Sequence, residues 1–366
     1  MLTLLKNLDC YTPKYIGKND ILICSDKIYK LQPQIKFIDK NIIENVYDFE
    51  GLNAFPGFID QHVHITGGGG EEGFTGHISE ININHILNAG VTTLVGLLGA
   101  DSCSRSLESL YVKAKSLEKQ GLTTYIYSGS YTVPPVTFTG DIVRDLVLID
   151  KVIGVGEIAI SDHRSSHATI NQLLKIASDS HLGGLLSGKA GVIHLHVGNG
   201  KKGLYPLLQM LDKSDLPIEQ FIPTHLNRNS ELFEQAMEYC KFGGNIDLTS
   251  GETEGISVSE AIRKLVDEEI NLSKVTVSSD ANGSIPNGGV SSIHTLLDDI
   301  VSCIIDKEIN PETAISLVTE NVSKVLKLYP RKGTLLEGSD ADILITGKNY
   351  QIKKVFCSGK LLKDKR

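Results

Sequence analysis

Ala54-Phe-Pro-Gly-Phe-Ile-Asp-Gln-His-Val-His-Ile65 is an apolar run that closes on two histidines two residues apart. Alternate residues of a strand point to the same side, so His62 and His64 would present both imidazoles to one ion. Seven further short apolar runs follow: Thr92 to Leu98, Thr124 to Ser128, Val152 to Ile160, Gly191 to Val197, Phe221 to His225, Asn245 to Thr249 and Lys274 to Ser279. Longer amphipathic stretches fill most of the gaps, such as Ser79 to Ala89 with Ser79 placed to cap its first turn. Strand and helix alternating in this way predict βα units and a parallel sheet, and eight runs suit a closed (β/α)8 barrel. An open doubly wound sheet would call for a glycine-rich phosphate turn after its first strand. Gly67-Gly-Gly-Gly70 instead follows the histidine pair and lacks the GxGxxG spacing.

Outside this middle the pattern changes. The runs Ile28 to Leu31, Ile35 to Ile38 and Ile43 to Phe49 read as short strands, as do Ala341 to Thr346, Gln351 to Phe356 and Lys360 to Leu362. The expectation is an α/β protein in which residues 1–55 and 331–366 form a small discontinuous β domain around a TIM-like barrel of residues 56–330.

A chain of 366 residues with 41% hydrophobic and 22% charged content has enough apolar material for a sizeable core. Its 36 basic and 44 acidic residues, with no like-charged block, argue against nucleic acid and membrane surfaces as partners. Cys10, Cys24, Cys103, Cys240, Cys303 and Cys357 form no CxxC pair and read as small core hydrophobes. No signal-like segment and no apolar run of about 18 residues is present, so a reducing cytoplasm is the expected compartment.

Metal-capable side chains fall at the ends of the predicted strands, the face where barrel enzymes assemble their sites. His62 and His64 close the first run, His196 the fifth, His225 the sixth and Asp280 the eighth, while Glu157 lies inside the fourth. A lone histidine in such a place is usually structural. Four histidines and two acids spread over five strands are not explained by packing, because buried charge is tolerated mainly when paired or metal-bound.

The strings Phe55-Pro-Gly-Phe-Ile-Asp-Gln-His-Val-His64, Ser278-Ser-Asp280 and Gly338-Ser-Asp-Ala-Asp342-Ile-Leu resemble the amidohydrolase superfamily. Gly67-Gly-Gly-Gly-Glu71, Val95-Gly-Leu-Leu-Gly99, Ser161-Asp-His-Arg164, Pro223-Thr-His-Leu-Asn-Arg-Asn229 and Ser279-Asp-Ala-Asn-Gly-Ser284 are similar to the isoaspartyl dipeptidases within it. The resemblance implies a barrel hydrolase, commonly oligomeric, that cleaves small β-aspartyl dipeptides with two divalent ions, Zn2+ by preference of the ligands. His62, His64 and Asp280 would hold one ion and His196 with His225 the other, the two sharing a hydroxide. Asp280 would serve as general base and acid, and Tyr131 as donor to the developing oxyanion. Glu71 and Ser284 would meet the substrate ammonium, and Arg164 and Arg228 its carboxylates.

Two positions depart from the family pattern. Where the family bridges its ions with a carboxylated lysine, counting back from Ser161 reaches Glu157, and Lys151 lies too near the start of the strand. A glutamate bridge needs no carbon dioxide to mature, but its shorter arm requires the strand or the ions to sit closer. Ala100 stands where the family has a threonine that assists the ammonium. The competing expectations are a cyclic-amide hydrolase of the dihydroorotase or hydantoinase kind, and a scaffold that has lost its metals. His77, His85, His163, His167, His181, His194 and His294 receive no catalytic role, although His163 is placed to orient a neighbour and His194 shares a strand with His196.

Overall fold

The computed structural model describes residues 2–36, 42–285 and 289–364. Five strands come first: β1 (Leu2–Tyr11), β2 (Tyr15–Cys24), β3 (Lys27–Gln32), β4 (Ile43–Asp48) and β5 (Asn53–Pro56). Eight strand–helix units follow. β6 (Phe58–Val63) leads to α1 (Ile83–Asn88), β7 (Val91–Gly96) to α2 (Leu107–Lys119), β8 (Thr123–Ser128) to α3 (Ile142–Leu148), and β9 (Val152–Ile160) to α4 (Ile170–Ser187). β10 (Val192–Val197) leads to α5 (Tyr205–Asp212), β11 (Phe221–Thr224) to α6 (Ser230–Lys241), β12 (Ile246–Thr249) to α7 (Val258–Asp267), and β13 (Val275–Ser278) to α8 (His294–Ile305). The short pair β14 (Ser284–Ile285) and β15 (Gly289–Val290) lies between β13 and α8, and β16 (Ile343–Thr346), β17 (Ile352–Cys357) and β18 (Lys360–Asp364) end the described chain.

Strands β6 to β11 pair in parallel in chain order, and β12 pairs in parallel with β13. Two junctions join these arcs. Between β11 and β12, Leu226 N–H donates to the Asp247 carbonyl at 3.3 Å, and the Asn227 side chain accepts from Thr249 N–H at 2.8 Å and donates to its carbonyl at 3.0 Å. Between β13 and β6, a parallel bridge joins Ala281 to Val63 at the C-terminal rim. At the other rim, Ile59 N–H reaches the Val318 carbonyl and Val277 N–H the Leu317 carbonyl. The expected barrel is therefore present, its strands so buried that both faces are apolar or paired. The helices carry local start signals as well: Thr169 and Gln172 form a capping box on α4, and Ser106 with Ser109 on α2.

Both ends of the chain share a second sheet, in the order β18-β17-β16-β5-β1-β2-β3 with β4 on β1. Its own core holds Leu5, Leu8, Ile21, Ile23, Ile28, Ile343, Ile345 and Phe356.

Several expectations need correction. Ala54 to Ile65 is not one strand, because Pro56 still pairs with Ile343 in the end-to-end sheet while Phe58 N–H already bonds to Gly90 beside β7. The chain changes sheets at Gly57. Ser79 does not cap α1; its carbonyl accepts from Asn282 and Ile81 N–H bonds to Ile65, so the helix starts at Ile83 under an Asn82 cap. Ile35 and Lys36 are not in a strand, and the rest of the run Ile35 to Ile38 lies outside the described residues. Cys24 and Cys103 are exposed, whereas the other four cysteines are buried, and all six are free thiols. No helix among the described residues is long and apolar enough to cross a membrane.

Candidate metal centre

The six ligand candidates converge at the C-terminal rim of the barrel. His62 and His64 project from the end of β6, and their Nε2 atoms lie 3.2 and 3.1 Å from Asp280 Oδ1. Glu157 sits among the rings: Oε2 is 3.2 Å from His196 Nδ1, 3.5 Å from His62 Nε2 and 3.7 Å from His225 Nε2, and Oε1 is 3.5 Å from His64 Nε2. His225 and Asp280 both stand just past their strands with left-handed φ values of 64° and 52°. Such backbone costs about 1–3 kcal/mol for a non-glycine residue and concentrates at functional sites.

Glu157 reaches this position through a bulge. Val155 pairs with Ile193 and Ile158 with Leu195, so Gly156 and Glu157 together face His194. The extra residue shifts the register so that the Glu157 carboxylate lies among the rim histidines. A side chain at 156 has no room, since a Cβ there would lie 2.7 Å from the Cβ and 2.9 Å from the carbonyl oxygen of His194. Lys151 is at the opposite end of β9, bonded to Glu118 and to the Thr124 carbonyl, and does not approach the centre.

The electrostatics of the cluster suit cations. Burial favours neutral carboxyls, yet His62 and its histidine neighbours outweigh it and hold Glu157 and Asp280 well below the usual carboxylate range. Burial disfavours a charged His62, but Glu157 and Asp280 raise its pKa far above the ordinary value. His225 is pushed down to about 3 by burial and by Arg228. Among the described residues, His62 Nε2, His64 Nδ1, Glu157 Oε1 and Asp280 Oδ1 are buried and make no hydrogen bond. Orphaned polar atoms of this kind mark a site shaped to bind a further group. Ligand atoms of His62, His64 and Asp280 lie within 4.8 Å of one another, as do those of His62, Glu157 and His225, so the donor set fits imidazole- and carboxylate-bound divalent metal. A third grouping, His62 with His194 and Asp247, is a support beneath the centre. Asp247 already accepts from Gln61, Thr224, Thr276 and Ser278, and His62 turns Nδ1 toward His194 Nε2 at 2.8 Å.

The other candidates gather above. The Tyr131 hydroxyl lies 2.8 Å from His196 Nδ1. Arg164 donates to Glu71 Oε1 at 2.9 Å, Ser284 donates to the same oxygen at 3.2 Å, and Arg228 donates to the Val197 carbonyl at 3.2 Å. Glu71, Arg164, Arg228 and Ser284 line a pocket with Tyr131, His64, His196 and Asp280, and the same four residues border an outer cavity of about 940 Å³. Ala100 lines the narrow space beneath it, with no side-chain polar atom to offer.

One residue escaped the sequence reading. Asp162, almost fully buried, accepts from His196 Nε2 and Arg164. Its signal is a carboxylate just past a strand and two residues before an arginine. His163 is no substitute: its side chain is 90% exposed, with Nδ1 3.5 Å from Asp162. His194 stacks on Tyr127 and supports His62 from behind, and is not aimed at the gap between Glu157 and Asp280.

A barrel whose rim joins imidazoles to a shared carboxylate defines a metal-dependent hydrolase. Comparison narrows the class: the chain belongs to the amidohydrolase family, which residues 225–362 match. A crystal structure of β-aspartyl dipeptidase from the thermophilic keratin degrader Fervidobacterium islandicum AW-1, in complex with β-Asp-Leu dipeptide, is 43% identical. It matches over 100% of this chain and 97% of that one, with a TM-score of 0.94. A second structure of the Fervidobacterium islandicum enzyme gives 43% identity and a TM-score of 0.92. A D-hydantoinase structure shares the fold alone, at 16% identity and a TM-score of 0.71. Adenine deaminase 1 of Desulfotalea psychrophila is 22% identical over 335 residues, 88% of this chain and 50% of the relative. The chain thus spans about half the length of that curated relative.

Proposed function

We propose that this chain hydrolyses the isopeptide bond of β-aspartyl dipeptides, releasing aspartate and a free amino acid. The observation that carries the reading is that Glu71, Arg164, Arg228 and Ser284 line the same pocket as His64, His196 and Asp280 of the imidazole–carboxylate cluster. An isoaspartyl dipeptide brings an ammonium and two carboxylates, and an acid with two arginines is the complementary set. The β-Asp-Leu bound by the 43%-identical Fervidobacterium islandicum enzyme supports the same substrate here.

In this reading His62, His64 and Asp280 would hold one zinc ion and His196 with His225 a second, with Glu157 as the carboxylate available to both. Ions bound there would acidify water and polarise the scissile carbonyl. Asp280, kept ionised by its histidine neighbours, takes a proton from the attacking water and delivers it to the leaving amine. Burial and Glu157 push the Tyr131 pKa far above the ordinary tyrosine value, so its hydroxyl keeps the proton it donates to the carbonyl oxygen as charge develops. Glu71 and Ser284 bind the ammonium, and Arg164 and Arg228 hold the carboxylates in register with the bond to be cut. We also assign residues 1–55 with 331–366 and residues 56–330 to separate domains, the second carrying the whole site, in a cytoplasmic homo-oligomer.

Turnover of β-aspartyl-leucine beside hydantoin and dihydroorotate by zinc-loaded protein tests the reading. Dipeptide cleavage without ring opening is expected. Rapid ring opening without dipeptide cleavage reverses the assignment in favour of a cyclic-amide hydrolase.

A further inference from the structure

Asp162 occupies a position that the proposed chemistry leaves without a role. It stands two residues past the end of β9, and its carboxylate lies between His196 of the candidate ligand set and the Arg164 guanidinium. Oδ2 accepts from His196 Nε2 at 2.9 Å and from Arg164 Nη2 at 2.8 Å. Oδ1 accepts from Arg164 Nε at 3.0 Å and from the Arg164 backbone N–H at 2.8 Å. The guanidinium is thus gripped by both oxygens, a geometry that fixes its plane as well as its distance.

The same carboxylate decides which nitrogen of His196 is free. A neutral imidazole carries one proton, and an acceptor at Nε2 holds the proton there. Nδ1 is then left as the lone-pair nitrogen, and it is Nδ1 that faces Glu157 Oε2 at 3.2 Å. A carboxylate behind a ligating imidazole orients the ring and raises its basicity. The fold makes room for this contact. A Cβ at Gly198 would fall 2.5 Å from both Cβ and Oδ2 of Asp162, and Gly200 N–H bonds to the Ser161 carbonyl at 2.6 Å, so the segment after β10 is held flat against this carboxylate.

We propose that Asp162 is a positioning residue that fixes two groups at once: the His196 ring, with Nδ1 toward Glu157, and the Arg164 guanidinium, against the substrate cavity. Only the kinetic half of this inference rests on the proposed function. Ion affinity at His196 and carboxylate recognition at Arg164 share one support.

The test is Asp162→Asn, stripped of metal and titrated with Zn2+ against a chromophoric chelator alongside wild type. One of the two zinc sites is expected to weaken by about 10–100-fold while the other stays within a few fold. At saturating zinc, KM for β-aspartyl-leucine is expected to rise about 10-fold with a smaller change in kcat, since a freed Arg164 loses a charge-assisted contact. A role limited to structure would weaken both sites together with thermal stability. Unchanged zinc affinity at both sites overturns the proposal, whatever the kinetics. If wild type binds zinc but cleaves no β-aspartyl dipeptide, the substrate reading fails and the zinc titration alone decides on Asp162. Should Asp162→Asn not fold, Gly198→Ala presses a methyl group on the same carboxylate, and full zinc affinity in that variant is equally fatal.

Discussion

Arg164 and Glu71 face each other across the cavity mouth, Nη1 to Oε1 at 2.9 Å, each about one-quarter exposed. A zwitterionic ligand replaces this pair with two new ones, whereas a ligand carrying a single charge breaks the pair and leaves one member unmatched. Arg164→Met should therefore raise KM for β-aspartyl-leucine by about 10–100-fold, the worth of one hydrogen bond to a charged group, with kcat within a few fold. Steady-state kinetics at saturating zinc check this; an unaltered KM would remove Arg164 from substrate recognition.

Glu157 supplies its carboxylate without modification. Protein expressed normally, stripped of metal and reconstituted in carbon-dioxide-free buffer should regain full activity, and added bicarbonate should change nothing. Glu157→Gln removes the negative charge that sits among four imidazoles and should lower kcat/KM by at least about 100-fold, with sub-stoichiometric zinc, because a ligand counts for more than its outer-shell supports. Bicarbonate-dependent reactivation of wild type would show that another group bridges the ions.

Tyr131 tests the chemical step separately from metal loading. Tyr131→Phe keeps the ring and loses only the hydroxyl, so kcat should fall about 100–1000-fold, the usual cost of one oxyanion donor, with zinc content unchanged. A variant that loses KM but keeps kcat would place Tyr131 in binding instead.

Much of this arrangement is legible in residue types and spacing. The eight runs give the barrel strands because each strand is buried on both faces and so reads as a continuous apolar stretch. His62, His64, His196, His225 and Asp280 are legible because polar residues closing such stretches have no packing purpose. The departures lie where contacts between distant segments decide the outcome. The break at Gly57 depends on two sheets competing for one run, with Pro56 claimed by β16 and Phe58 held beside β7. The late start of α1 depends on Asn282, two hundred residues away in the chain, holding the Ser79 carbonyl. The Arg164 partner of Asp162 is close in sequence, but its other partner, His196, comes from the next strand and is brought to it only by the barrel.

Lys332 joins the end-to-end sheet to the barrel. It is buried, with Nζ 2.9 Å from Asp340, 2.5 Å from Asp342 and 2.7 Å from Thr123 on β8. Burial disfavours its charge, but Asp342 and Asp340 raise its pKa above the ordinary lysine value; burial likewise opposes the Asp340 carboxylate, which Lys332 and Lys27 hold below its ordinary value. A raised lysine contributes stability that is present below its unfolded pKa and lost as pH climbs through the folded one. A depressed aspartate contributes stability that is present above its unfolded pKa and lost as pH falls through the folded one. The pair is therefore fully effective between roughly pH 4 and 10, set by the unperturbed values. Lys332→Met, which leaves the buried Asp342 carboxylate without its cation while Asp340 keeps Lys27, should cost about 3–5 kcal/mol in urea unfolding at pH 7. The deficit should shrink at both pH extremes, and a deficit that is the same at every pH would mean that the lysine acts through packing alone.

Gly156 offers the strictest test of the bulge that delivers Glu157. The atoms a new Cβ would meet there include a backbone carbonyl oxygen, at 2.9 Å, which cannot rotate away as a side-chain tip could. Gly156→Ala must therefore push β9 from β10, and overpacking of this kind costs about 1–3 kcal/mol. Because the next residue is Glu157, the displacement should appear in metal binding as well as in stability. Zinc affinity and urea midpoint are expected to fall together in Gly156→Ala, while an alanine at the half-buried Gly243, whose Cβ would meet nothing within 4 Å, should spare zinc affinity. If Gly156→Ala binds zinc as wild type does, the tight register at the bulge is not what places the glutamate.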